Sequence, residues 1–226
     1  MAWTIPELEM LRQPLLLRRL AGVRDGIHEV LAPLTVTMAR SPEPVPFAQR
    51  KSLSYRRVKA GSTWGRAHGC AWFHVEVDLR GLIGDELMAA SGLALILDTD
   101  GEAILRNDAG EVVGMVTSRL TPLERHAPAR AKTRVELTPE LLEACAPAGR
   151  LSLWLDAGFN GKMVQPFGIA RIRALDLVRI DRAREDAYLD LLTVAYASLR
   201  AGGLGDRYVV ALDHGFAAAA EGDWGG

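Results

Sequence analysis

The sequence predicts a mainly β protein: a jelly-roll-like antiparallel β-sandwich with an N-terminal helix and a C-terminal amphipathic helix. Three features carry that expectation. Apolar residues recur with period two through the middle of the chain, as in Phe73, Val75, Val77 and Leu79 against Trp72, His74, Glu76 and Asp78; such alternation puts one apolar face on a strand. Turn residues punctuate these runs at hairpin intervals, as at Asp100-Gly101 and Asp108-Ala109-Gly110. Helical spacing is confined to the two ends. The expected organisation is therefore a helical segment over 1–33, a sandwich over 34–180, and a helical segment with a tail over 181–226.

Residues 6–32 read as helix, because Ile27, Val30, Leu31 and Leu34 recur at helical spacing, Pro14 suits a first turn and Pro33 marks an end. Ser41-Pro42-Glu43-Pro44-Val45-Pro46 carries three prolines, which remove donors and fix φ, so it reads as an ordered extended connector. Strands are expected at Leu34–Thr37, at Trp72–Leu79, at Leu93–Leu97, at Ala103–Leu105, at Val112–Val116, at Leu151–Leu155 and across Ile169–Val178. Thr138-Pro139-Glu140 has the cap, proline and acid of a short helix start. After residue 180, Tyr188, Leu191, Leu192, Ala195, Tyr196 and Leu199 form one apolar stripe, with Asp181 as its cap and Gly202-Gly203 as its stop. A short helix and a frayed tail should follow.

Composition narrows the function classes. With 49% hydrophobic and 24% charged residues the chain can bury a sizeable core. Its 27 basic and 28 acidic residues give a net charge of −1, which offers no basic surface for nucleic acid. Cys70 and Cys145 have no metal-type spacing and read as buried free thiols. No apolar run is long enough to span a bilayer, and Arg12, Arg18 and Arg19 interrupt the leading segment. A soluble cytoplasmic protein, with no membrane partner, is the expectation.

Candidate chemistry is sparse. His28, His68, His74, His126 and His214 show no helical pairing, so no metal ligands are assigned. Asp98, Asp100 and Glu102 fail as a calcium loop, because Gly101 falls fourth where such loops need glycine sixth; a tight turn is expected instead. A catalytic site from Asp98, Asp156, His68 or His74 is a third reading without assigned roles. Among the aromatics, Phe73 and Trp154 lie in apolar runs and should fill the core. Trp64, beside Gly65 in a presumed loop, heads a candidate sugar-binding set of Trp64, His68, Trp72 and His74. His74 is expected to face solvent or a docking surface, and Arg171, Arg173 and Arg179 to line a solvated face.

Ser41–Phe47, Trp64–Phe73, Asp98–Gly101, Leu153–Gly161, Phe167–Ala170 and Asp181–Leu199 occur here in that order. This succession resembles the N-terminal region of class II α-mannosidases, glycoside hydrolase family 38, over roughly residues 10–200. The resemblance implies a sandwich that precedes a catalytic α/β barrel and serves packing and oligomer contacts. That family binds zinc through two His and two Asp, one Asp also being the nucleophile. The nearest stretch here, Ala211-Leu212-Asp213-His214-Gly215-Phe216, inverts the family's His-x-Asp order. No catalytic residue is carried over, and zinc is expected only in a catalytic domain outside this chain. The implied function is a non-catalytic accessory or assembly domain, truncated or standing alone. The alternative is a carbohydrate-binding module. Its expected partners are a second copy, a separately encoded catalytic domain, and carbohydrate.

Overall fold

The computed structural model describes residues 13–66, 68–80, 92–118, 132–159, 168–200 and 206–224. Residues 6–12 of the expected helix, His126, Gly161, Phe167 and the Gly202-Gly203 stop lie outside the described residues.

Helix α1 (Pro14–Arg24) starts on the expected proline and buries Leu16, Leu20 and Val23 along one face. It ends well before Pro33. Gly26 N–H donates to Val23 and Ile27 N–H to Arg24, tightening the last turn, and the chain leaves as strand β1 (His28–Pro33). The helical spacing of Ile27, Val30 and Leu31 is thus overridden by pairing: β1 is hydrogen-bonded to a neighbouring strand, which satisfies its backbone as well as a helix would.

The remaining strands are β2 (Thr35–Ser41), β3 (Arg56–Val58), β4 (Thr63–Arg66), β5 (Gly69–Asp78), β6 (Leu93–Asp98), β7 (Glu102–Arg106), β8 (Val112–Thr117), β9 (Arg134–Glu136), β10 (Arg150–Phe159), β11 (Ile169–Arg171) and β12 (Ala174–Ile180). They form a six-stranded sheet of order β3-β2-β5-β10-β7-β8, a four-stranded sheet of order β1-β12-β6-β9, and the pair β11-β4. The single strand expected across 169–178 is two. Ile172 N–H donates to Ser62 and Arg173 N–H to Asp98, so the chain changes partner between β11 and β12.

Strand β10 pairs antiparallel with β5 from Arg150↔Asp78 to Phe159↔Gly69. Alternation then sends Phe73 and Val75 of β5, with Leu151, Leu153 and Leu155 of β10, to the inner face. There they join Leu93, Leu95, Leu97, Leu175 and Leu177 of the four-stranded sheet in one continuous core. Two sheets closing over a shared apolar layer make a sandwich. Short helix α2 (Pro139–Cys145) follows its Thr138 cap, whose hydroxyl accepts from Leu141 N–H at 3.3 Å.

The described residues divide into two compact units. The sandwich occupies residues from Val30 to Arg179, and the other unit draws on residues up to Glu29 and from Ile180 onward. Helix α3 (Arg182–Arg200) buries Tyr188, Leu191, Leu192 and Ala195 of the expected stripe, and Asp181 caps it through Arg184 N–H at 3.0 Å. Helix α4 (Asp206–Glu221) is longer than expected, at 16 residues. Leu212 and Phe216 are its buried residues, and Arg19 of α1 lies over the Phe216 ring at 4.3 Å. No helix among the described residues is long and apolar enough to cross a membrane.

Phe73 is fully buried and meets the Trp64 ring edge-on at 5.4 Å. Phe73→Ala should therefore cost about 3–5 kcal/mol through lost burial and the cavity left behind. Urea unfolding checks this, as a drop in midpoint at unchanged slope.

Candidate functional site

The four residues expected to bind sugar fall at two places on the sandwich. Trp64 and His68 flank the turn between β4 and β5, while Trp72 and His74 lie along β5.

Trp64 is no loop residue. It sits in β4, is only 2% exposed, and belongs to the core. Pairing of β4 with β11 fixes its parity and turns the ring inward, while Thr63 stays exposed. There the indole N–H donates to Thr99 O at 2.5 Å, and the ring meets Phe73 and Phe159 edge-on. The Asp100-Gly101 turn is shaped by this ring. A Cβ on Gly101 would stand 2.8 Å from Gly158 O and 2.9 Å from the Trp64 ring. Positive φ, by contrast, falls on Asp100, at 62°. The Asp100 carboxylate accepts from Arg171 N–H at 3.3 Å and from the Arg173 guanidinium at 3.2 Å. Arg173, expected to be merely solvated, thus closes this turn. His68 is exposed at φ 65°, and its N–H donates to Phe159 O.

Trp72 is also covered, at 2% exposure. It points to the outer face of the six-stranded sheet, where its indole N–H donates to Val45 O at 2.9 Å and Phe47 meets it edge-on at 5.8 Å. The proline connector and the 3-10 turn Phe47–Ser52 supply both contacts.

The same parity corrects Trp154. Leu153 and Leu155 take the inner positions, so Trp154 faces outward and is buried by an outer cap instead of the core. His74 stacks on it at 3.9 Å with planes 10° apart, Tyr55 meets it edge-on at 5.9 Å, and Arg50 lies over it at 4.3 Å. Arg50 also lies 3.4 Å over Phe47, so its guanidinium is sandwiched between two rings. It is 4% exposed and donates to Phe47 O at 2.8 Å. Asp108 accepts from the Trp154 indole at 2.7 Å. The sequence reading missed this cap. Its one signal was Phe47 and Arg50 three residues apart behind three prolines, a spacing that puts both on one side of a tight turn.

His74 therefore does not face solvent. It is half-buried, its Nε2 is 3.0 Å from Ser152 Oγ, and its Nδ1 lies 3.9 Å from Glu76. Burial holds its pKa below the ordinary 6.5, with Arg50 and Lys51 adding to that and Glu76 and Asp108 opposing it.

The third set is not assembled into one site. Asp98 ends β6 in the four-stranded sheet, Asp156 and His74 share the outer face of the six-stranded sheet, and His68 is at a turn. Burial raises the Asp156 carboxyl, with Arg106 opposing. Asp213 lies in α4 and pairs with Arg19 at 2.5 Å, and His214 is exposed. Among the described residues no group of three His, Cys, Asp or Glu side chains is placed to hold a metal ion. The described residues do not fit a zinc centre of the two-His, two-Asp kind.

A groove of about 420 Å³ opens between the end of β2, β4 and the start of β5, lined by Arg40, Ser41, Pro42, Thr63, Trp64, Gly65, Arg66, Gly69, Cys70 and Ile169. Both cysteines are free, as expected, but Cys70 is only partly buried. Burial pushes the Cys70 thiol up and Cys145 up to about 11, so neither is a thiolate nucleophile at neutral pH.

The depressed His74 pKa has a definite sign in stability. The unfolded chain takes up the proton first, so stability is full above pH 6.5 and falls as pH drops below it. In urea midpoints measured from about pH 7.5 down to about pH 5, His74→Gln should flatten that fall relative to the parent protein. An unchanged pH profile would remove His74 as its source.

A family model described as "Alpha-mannosidase, jelly roll domain" matches residues 32–176, more than half of the chain. No curated protein matches it. The matched span covers the strands from β2 to β11, with the end of β1 and the start of β12, and the two-sheet architecture fits that description. The chain belongs to the α-mannosidase jelly-roll domain family.

Proposed function

We propose that this jelly-roll domain is a non-catalytic accessory and assembly module of an α-mannosidase-like glycoside hydrolase, whose zinc-dependent chemistry belongs to a separate catalytic domain. The observation that carries this reading is the covering of the aromatic rings. Sugar recognition by stacking needs an open ring face, yet Trp64 is enclosed in the core and Trp72 and Trp154 lie beneath the Phe47–Ser52 turn and its arginine. A domain that spends its large rings on packing holds shape for something else. Its unpaired cysteines fit a reducing, cytoplasmic setting.

Assembly has a surface to use. Ile104 and Met115 pair across β7 and β8, and with Val112 they expose an apolar strip, Met115 being 78% accessible. Such a strip near a sheet edge favours contact with a second copy.

The purified chain supplied with zinc should not turn over aryl α-mannosides above background, and neutral mannose oligomers should give no heat in calorimetric titration. Turnover would overturn the non-catalytic reading, and saturable heat with a neutral mannose oligomer would favour the binding-module alternative. In sedimentation equilibrium the parent chain should self-associate, and Met115→Glu should weaken this by about tenfold or more.

A further inference from the structure

We propose that the groove between the end of β2, β4 and the start of β5 binds a phosphate group, carried on a sugar-sized molecule or free. Three arginines frame it from three different strands: Arg40 on β2, Arg56 on β3 and Arg66 on β4. Arg40 and Arg66 line the groove and no carboxylate does. Arg56 reaches the same rim, since its guanidinium and that of Arg40 both donate to the carbonyl of Thr63. None of the three pairs with an acid among the described residues, and the Arg66 guanidinium has no hydrogen-bond partner there. In a chain of net charge −1 this is a local excess of positive charge.

The chemistry favours phosphate over carboxylate. A guanidinium has five donors in a planar fork, and Arg40 and Arg56 each use one nitrogen on Thr63, which holds the side chains at the rim with donors to spare. One fork engages both oxygens of a carboxylate and balances its single charge, whereas a phosphate monoester offers three outer oxygens and up to a double charge to several forks at once. Size points the same way. At about 420 Å³ the groove is in the range of small-molecule sites and larger than a bare phosphate needs. Cys70 lines the groove as a neutral thiol and adds no negative charge. Glu43 and Asp156 act on that thiol from nearby, but neither lines the groove.

Cys70 supplies a reporter, because Cys145 is 2% exposed and so shielded from reagents in the native fold. The intact chain is titrated by calorimetry with a hexose 6-phosphate, the parent hexose and inorganic phosphate, while Cys70 alkylation is followed in parallel. The hexose phosphate should bind, slow Cys70 labelling and weaken with added salt, and the neutral hexose should do neither. Inorganic phosphate acting equally well would assign the site to the free ion. Arg66→Ala, which removes no hydrogen bond, should weaken binding by about tenfold or more, with Arg66→Lys partly restoring it. Arg57→Ala removes an equal charge next to Arg56 in β3, outside the groove lining, and should leave binding intact. Binding by neither phosphate, equal losses in the Arg57 and Arg66 variants, or binding that leaves Cys70 labelling unchanged would each overturn the site. None of these results bears on mannoside turnover, so the site and the accessory reading fail or stand separately.

Discussion

The ten-residue antiparallel pairing of β5 with β10 is the constraint on which the sandwich unit depends. Because side chains alternate strictly along each strand, this single register decides what each face contains. Phe73, Val75, Leu153 and Leu155 go inward to the shared core, and Trp72, His74, Trp154 and Asp156 go outward. A slip of β5 by one residue would turn over its side chains and bury His74 in the apolar layer, and a slip of β10 would bury Asp156. The register is thus held by the cost of the alternative as well as by its own hydrogen bonds.

The outward set would normally be a wet face. Here two indoles on it are sealed by a segment that is neither strand nor regular helix. Three prolines fix the approach, the 3-10 turn presents Phe47 and Arg50, and the indole N–H groups of Trp72 and Trp154 are satisfied by Val45 O and Asp108. These two indoles, like that of Trp64 in the core, have their N–H groups paired, which is what burial of tryptophan requires. The arginine-lined groove and the β7–β8 strip, by contrast, are open to other molecules.

Much of this was legible from residue pattern alone. The two-sheet class, the Thr138 and Asp181 caps, the Asp100-Gly101 turn and the α3 stripe all depend on local periodicity or capping chemistry, which a sequence displays directly. The failures share one cause. Residues 27–31 read as helix because spacing cannot see a partner strand, and Trp64 read as a loop residue because its neighbour Gly65 suggested one. Trp154 was rightly expected to be buried, but by the wrong layer, since what covers an outward ring is decided by residues a hundred positions away. The groove arginines were invisible for the same reason: Arg40, Arg56 and Arg66 become neighbours only when three strands meet around Thr63.

The helical unit carries a consequence for synthesis. Its α1 emerges from the ribosome before the sandwich strands, yet it packs on α3, which begins at Arg182, after them. The nascent α1 must therefore wait with Leu16, Leu20 and Val23 unsheltered while the entire sandwich is translated. Of the two units, the one begun before the sandwich is completed after it. A chaperone acting during that interval would find a client surface there.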